Sequence, residues 1–132
     1  MAYVSLDSDQ IKKAHKKHKY TKEQVLQLEQ CMDPKTGPLY FMKTFMKIQH
    51  PTKGEMPFKP YAYQERLIEA YNDHRFSISM LPRQTGKTTC ASGYLIWYAM
   101  FKPDSQILIA AHKYAGASDI MSRVRYAYEM LP

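Results

Sequence analysis

The stretch Ser77–Phe101, SISMLPRQTGKTTCASGYLIWYAMF, decides how this chain is read. It opens within an apolar run, Phe76–Leu81, of strand length, and closes on a longer run, Thr88–Phe101, that suits a helix. Between them lies PRQTGKTT. A loop entering a helix presents unpartnered backbone N–H groups and a positive dipole end to an anion. Gly86 lets the backbone approach such a group closely. Lys87 suits β- and γ-phosphate oxygens, and the Thr88 hydroxyl suits a hard cation such as Mg²⁺. The full phosphate-loop pattern carries another glycine five residues before Gly86, where this chain has Leu81. The residues alone leave a nucleotide cradle and an ordinary helix start both open.

Three further residues carry potential chemistry. Arg83, in the loop, reads either as an exposed loop arginine or as a guanidinium that stabilises charge on a γ-phosphate. Gln64, upstream, reads as a solvated helix residue or as an amide that pairs with adenine at N6 and N7. His112 ends the next apolar run, QILIAA. Ligands collect at strand tips in α/β sheets, although a lone histidine there also fits a structural role.

Working outward, the pattern predicts helix, strand, loop, helix, strand and helix from Pro60 onward, an α/β order with a parallel sheet. Phe76–Leu81 and QILIAA are its expected buried strands. In the helix after the loop, Ala91, Tyr94, Leu95 and Tyr98 form the main stripe. Ile96, Trp97 and Met100 make the other side apolar as well. The last helix places Ala117, Met121, Val124 and Tyr128 on one face. Upstream, TKEQVLQLEQCM predicts a helix with Thr21 as N-cap and Gln24 as capping-box partner, ended by Asp33-Pro34. LYFMKTFMKIQH predicts a short helix passing into a strand, PTKGE a turn and MPF a return strand. In the helix begun at Pro60, Tyr63, Leu67, Ala70 and Tyr71 share a face. The divisions are a basic polar arm at 1–20, a helix and hairpin region at 21–59, and the loop-bearing α/β part at 60–132.

Of the 132 residues 45% are hydrophobic, a composition able to form a core. Lys and Arg number 19 against 12 Asp and Glu, a formal charge of +7 that favours an anionic partner or simply a solvated basic surface. Cys31 and Cys90 stand far apart, which argues against a zinc site or a disulfide framework. No signal peptide or membrane span is predicted, so a soluble, intracellular protein is expected.

YQ at 63–64, then LPRQTGKTT, then ILIAAHKYAGASDIMSRVR, together resemble the large terminase of tailed bacteriophages, myovirus type, over roughly residues 31–132. That family is the ATP-driven motor that packages DNA into proheads. The resemblance implies an incomplete P-loop NTPase (RecA-like) sheet with helices on both faces, and ATP and Mg²⁺ as cofactors. It implies a nucleotide site of Gln64, Pro82, Arg83, Gln84, Thr85, Gly86, Lys87, Thr88 and Thr89. There Arg83 is the cis-acting catalytic arginine and Thr88 the metal ligand. AAHKYAGAS matches the segment thought to couple nucleotide to DNA in related helicases. The family's apolar strand ending in Asp-Glu, its metal aspartate and catalytic glutamate, and its nuclease domain have no counterpart in this sequence. In the family that strand lies between the two apolar strands seen here. The chain is therefore expected to be the front part of the motor and inactive alone. The partners implied are the missing C-terminal part, double-stranded DNA and the portal or prohead, in the cytoplasm of an infected bacterium. The alternatives are a helicase-like ATPase fragment and a non-enzymatic basic module that binds nucleic acid or a packaging partner.

Overall fold

The computed structural model describes residues 19–50, 52 and 54–132, with the backbone alone at position 50. Most of the expected basic arm, 1–18, lies outside the described residues. The element order is α1 (Lys22–Met32), α2 (Gly37–Thr44), β1 (Lys47–His50), β2 (Gly54–Pro57), α3 (Ala62–Asp73), α4 (Lys87–Phe101) and α5 (Tyr114–Glu129).

Local signals govern the first half. Thr21 caps α1: its hydroxyl accepts from Gln24 N–H at 3.3 Å, and Gln24 Oε1 accepts from Thr21 N–H at 2.9 Å. Such a box satisfies two of the amides that a helix start leaves orphaned. Asp33 stops α1 and builds the next turn, its carboxylate accepting from the amides of Lys35 and Thr36 at 2.8 and 2.7 Å. Those bonds favour the ionised form and hold the Asp33 carboxyl below its ordinary range. β1 and β2 pair antiparallel, Lys47 opposite Pro57 and Ile48 opposite Met56. The hairpin is fastened to the core beside it, where Phe58 N–H donates to Met46 O at 2.9 Å and the Phe58 ring is buried.

α4 is the central helix and packs on α2, α3 and α5. Its deeply buried residues are Cys90, Ser92, Gly93, Ile96 and Trp97. Tyr98 and Met100 are exposed, and Ala91, Tyr94 and Leu95 are half-buried. The expected main stripe is thus the shallower side of the helix. With apolar residues on nearly every side, periodicity gave no direction, and the neighbours α2 and α5 select the buried face. The same correction applies to α5. Val124, Ala127 and the following Leu131 turn inward, while Met121 and Tyr128 stay exposed. In α3 the buried residues are Gln64, Leu67 and Ile68.

One knot joins the ends of the core. Cys31 O, near the end of α1, has no helical donor ahead of it, and the Trp97 indole donates to it at 2.7 Å. Gly37 sits against the same carbonyl so closely that a Cβ there would collide with Cys31 O. At its other end α3 is tied to the α1–α2 turn by Asn72 Nδ2, which donates to Pro34 O at 2.7 Å.

The expected parallel sheet is not formed among the described residues. The sheet present is the β1–β2 hairpin. Phe76–Leu81 and 106–111 run in irregular conformation without ladder hydrogen bonds. Nor are they buried: Phe76, Ile78 and Met80 are 83–96% exposed and Leu108 is 91% exposed. A strand requires a neighbour for its backbone groups, and α4 separates these two segments in sequence without supplying one. The architecture is mixed, helices with a small two-stranded sheet, and is compatible with the α/β class. No helix among the described residues is long and apolar enough to cross a membrane.

Both cysteines are buried and free. Burial pushes each thiol from its ordinary 9.0 up to about 11. Both therefore stay protonated at neutral pH. Their contribution to stability is intact below pH 9 and declines as pH rises from 9 toward 11, because the unfolded thiols ionise first. A thiol-specific chromogenic reagent at pH 7 is expected to label neither cysteine in the folded chain and both on denaturation. Labelling of the folded chain at a free-thiol rate would contradict this.

Candidate phosphate-loop site

The loop 81–86 is shaped by its own side chains. Lys87 turns back across it, Nζ donating to Leu81 O at 3.0 Å and to Pro82 O at 2.6 Å. Thr85 Oγ1 donates to the same Pro82 carbonyl at 2.9 Å. Pro82 O thus gathers two donors and draws the ends of the loop together. Gln84 and Gly86 both take the left-handed conformation, with φ of 62° and 77°. For Gln84 this is uncommon backbone for a residue with a Cβ, and such conformations gather at ligand sites.

Gly86 is the N-cap of α4, and Gly86 O receives the first backbone bond of the helix, from Cys90 N–H at 2.9 Å. The amides of Lys87, Thr88 and Thr89 precede that bond and find no carbonyl among the described residues. They form the start of a 15-residue helix, where the dipole favours an anion. The Thr88 hydroxyl likewise bonds no described residue. A hydroxyl is a hard-oxygen donor of the kind a divalent cation takes. Among the described residues, His, Cys, Asp and Glu do not gather into a metal-binding group of three or more. Arg83 and Gln84 are exposed at the loop's tip, and no ion pair to a described residue restrains Arg83.

The first turn of α3 grips this loop from behind. Tyr63 Oη and Gln64 Nε2 both donate to Thr85 O, at 3.1 and 3.0 Å. Gln64 Oε1 also accepts from Tyr61 N–H at 2.9 Å, which caps α3. Gln64 is 6% exposed, so its amide is spent on two structural bonds rather than projecting into solvent. Gly86 lies close beside it: a Cβ there would stand 2.5 Å from Gln64 Nε2.

The structure thus brings together Gln64 and the loop residues Pro82 to Thr89. His112 is exposed after the irregular 106–111 segment. No protein-family model matches the chain. Sequence reading did not single out Tyr63 as a brace of the loop. Its bond to Thr85 O spans 22 residues, and only its place directly before Gln64 hinted at it.

A second cleft, of about 480 Å³, lies between β1, α4 and α5. It takes in Thr89 but none of residues 82–88. Ser92, whose buried hydroxyl has no partner among the described residues, and the Asp119–Arg123 pair border it.

Proposed function

We propose that this chain is the ATP-binding front part of a DNA-packaging motor of the phage large-terminase type, built on a P-loop NTPase plan. The observation that carries the reading is the loop itself: Lys87 laced across 81–82, Gly86 left-handed, and three amides opening α4 that have no carbonyl partner among the described residues. The sequence resemblance over YQ, LPRQTGKTT and ILIAAHKYAGAS supports the choice of family.

On this reading the amides of Lys87, Thr88 and Thr89 hold phosphate oxygens. Lys87 Nζ exchanges its loop carbonyls, in whole or part, for β- and γ-oxygens. Arg83 is free to swing over the γ-phosphate, where a guanidinium offsets charge that develops during transfer. Thr88 would hold Mg²⁺ on this chain, and the ion would there offset phosphate charge. The unpaired segments 76–81 and 106–111 also favour the reading, since the family's sheet places a further strand between their counterparts. That strand brings the carboxylates for metal and water, so hydrolysis belongs to the assembled motor, working with DNA and prohead in the infected cell.

The test is calorimetric titration with ATP and Mg²⁺. Lys87→Ala is expected to weaken binding by about 10- to 100-fold, the loss of a charge-assisted contact to phosphate. Equal affinities would remove the phosphate-loop assignment. Salt-dependent DNA binding that survives Lys87→Ala, with no response to ATP, would favour a non-enzymatic basic module instead.

A further inference from the structure

The cleft between β1, α4 and α5 is bordered by every residue of 46–49 and by none of the β2 residues 54–57. Successive residues of a strand point to opposite faces, so a cleft that touches all of them runs along an edge of the strand. That edge is the one turned away from β2. The register gives the same answer. Phe58 N–H donates to Met46 O, so Met46 and Ile48 turn their backbone groups to β2, and Lys47 and Gln49 turn theirs outward. Pro57, opposite Lys47, has no N–H to give, as suits a pair that exchanges no bonds. The amides and carbonyls of Lys47 and Gln49 have no partner among the described residues.

An edge with open donors and acceptors is a template for one more strand. Here α4 and α5 wall the edge. In that wall Ser92 is 1% exposed, and its hydroxyl lacks a partner among the described residues. A buried polar group is costly to leave unsatisfied, so an occupant that bonds it is favoured. Charge then selects the occupant. Lys47 and Arg123 border the cleft with their side chains about half exposed. Lys47 pairs with Glu55, and Arg123 gives its Nε–H to Asp119 at 3.3 Å. The remaining ammonium and guanidinium N–H groups stay available to carboxylates. A second copy joined through the same edge would bring two Lys47 side chains together, and edge lysines discourage such self-pairing.

We infer that this cleft docks an extended peptide from a partner protein, added as a strand to the open edge of β1. Residues opposite Lys47 and Gln49 share their face and carry carboxylates, while the residue between them shares the Ile48 face and is apolar. Backbone bonds supply the affinity and the alternation supplies the choice. The inference stands apart from the nucleotide reading.

The test uses the full chain and a labelled, end-blocked peptide, Glu-Val-Glu-Val-Glu, followed by fluorescence anisotropy. The controls are Lys-Val-Lys-Val-Lys and the acidic peptide N-methylated at its glutamates. The acidic peptide is expected to bind about tenfold or more tighter than either control, and to protect the Lys47 and Gln49 amides from hydrogen exchange. Gln49→Pro removes an outward N–H and leaves the β2 ladder whole, so it is expected to weaken the peptide by about tenfold while keeping the circular dichroism spectrum. Lys47→Glu is expected to shift the preference toward the lysine peptide. Neither variant should alter ATP affinity. Equal binding of the methylated peptide would leave only charge attraction and overturn the added strand. So would a Gln49→Pro variant that binds like the wild type, or no binding of any peptide at millimolar concentration. Protection of the Lys47 and Gln49 amides without peptide, in a chain that sediments as a dimer, would overturn it in favour of a second copy.

Discussion

Trp97→Ala is expected to destabilise the chain by about 3–5 kcal/mol, the range for deleting a large buried aromatic. Trp97 is 0% exposed, and its ring meets Tyr94, Tyr98 and Phe101 at centroid distances of 5.7–6.4 Å. The Lys102 ammonium lies 5.4 Å from the ring centroid. Alanine leaves a cavity at the meeting point of α1, α2 and α4 and strips Cys31 O of its donor. Small domains hold only about 5–15 kcal/mol in total, so a large part of the stability goes with this one side chain. Trp97→Phe separates the two contributions. It keeps much of the volume and loses the N–H, and an unsatisfied buried carbonyl costs about 1–3 kcal/mol. Because Trp97 is the single tryptophan, urea unfolding is followed by circular dichroism. A Trp97→Ala midpoint equal to the wild type would show that this knot does not hold the helices together.

That knot also marks how far sequence reaches. The Thr21–Gln24 box, the Asp33 stop and the β1–β2 hairpin depend on residues a few positions apart, and each was legible in the local pattern. The faces of α4 and α5 were not. An all-round apolar helix does not state which side its neighbours will cover, and Gly93 and Trp97 go inward only because α2 and the end of α1 lie there. Phe76–Leu81 and QILIAA look like buried strands because their composition is right. Composition cannot supply a hydrogen-bonding neighbour, and none pairs with them among the described residues. At the candidate site, Gly86, Lys87 and Thr88 declared themselves by spacing. The grip of Tyr63 and Gln64 on Thr85 O, across 22 and 21 residues, did not. It makes Gln64 a brace between α3 and the loop as well.

Gly86→Ala tests that brace and the loop at once. At φ 77° any Cβ is strained, by about 1–2 kcal/mol. Here the added methyl would also stand 2.5 Å from Gln64 Nε2. Either the loop shifts away from α3 or the amide leaves Thr85 O and Tyr61 N–H, and each lost buried bond costs about 1–3 kcal/mol. The expected result is a destabilisation of about 2–5 kcal/mol, with nucleotide binding lost more completely than in Lys87→Ala. The reason is geometric. Removing Lys87 deletes one cation and its bonds to Leu81 O and Pro82 O, while Thr85 stays tied to Pro82 O and to α3, whereas moving Gly86 redirects the whole row of amides that opens α4. Gly86→Ala combined with Gln64→Ala separates strain from collision. The double variant removes the obstructing amide but not the left-handed backbone, so it should recover part of the binding lost by Gly86→Ala without reaching the wild type. A double variant no better than Gly86→Ala would mean that backbone strain alone accounts for the glycine. A Gly86→Ala variant as stable as the wild type and binding ATP equally well would mean that the close packing of α3 against the loop does not set the shape of the cradle.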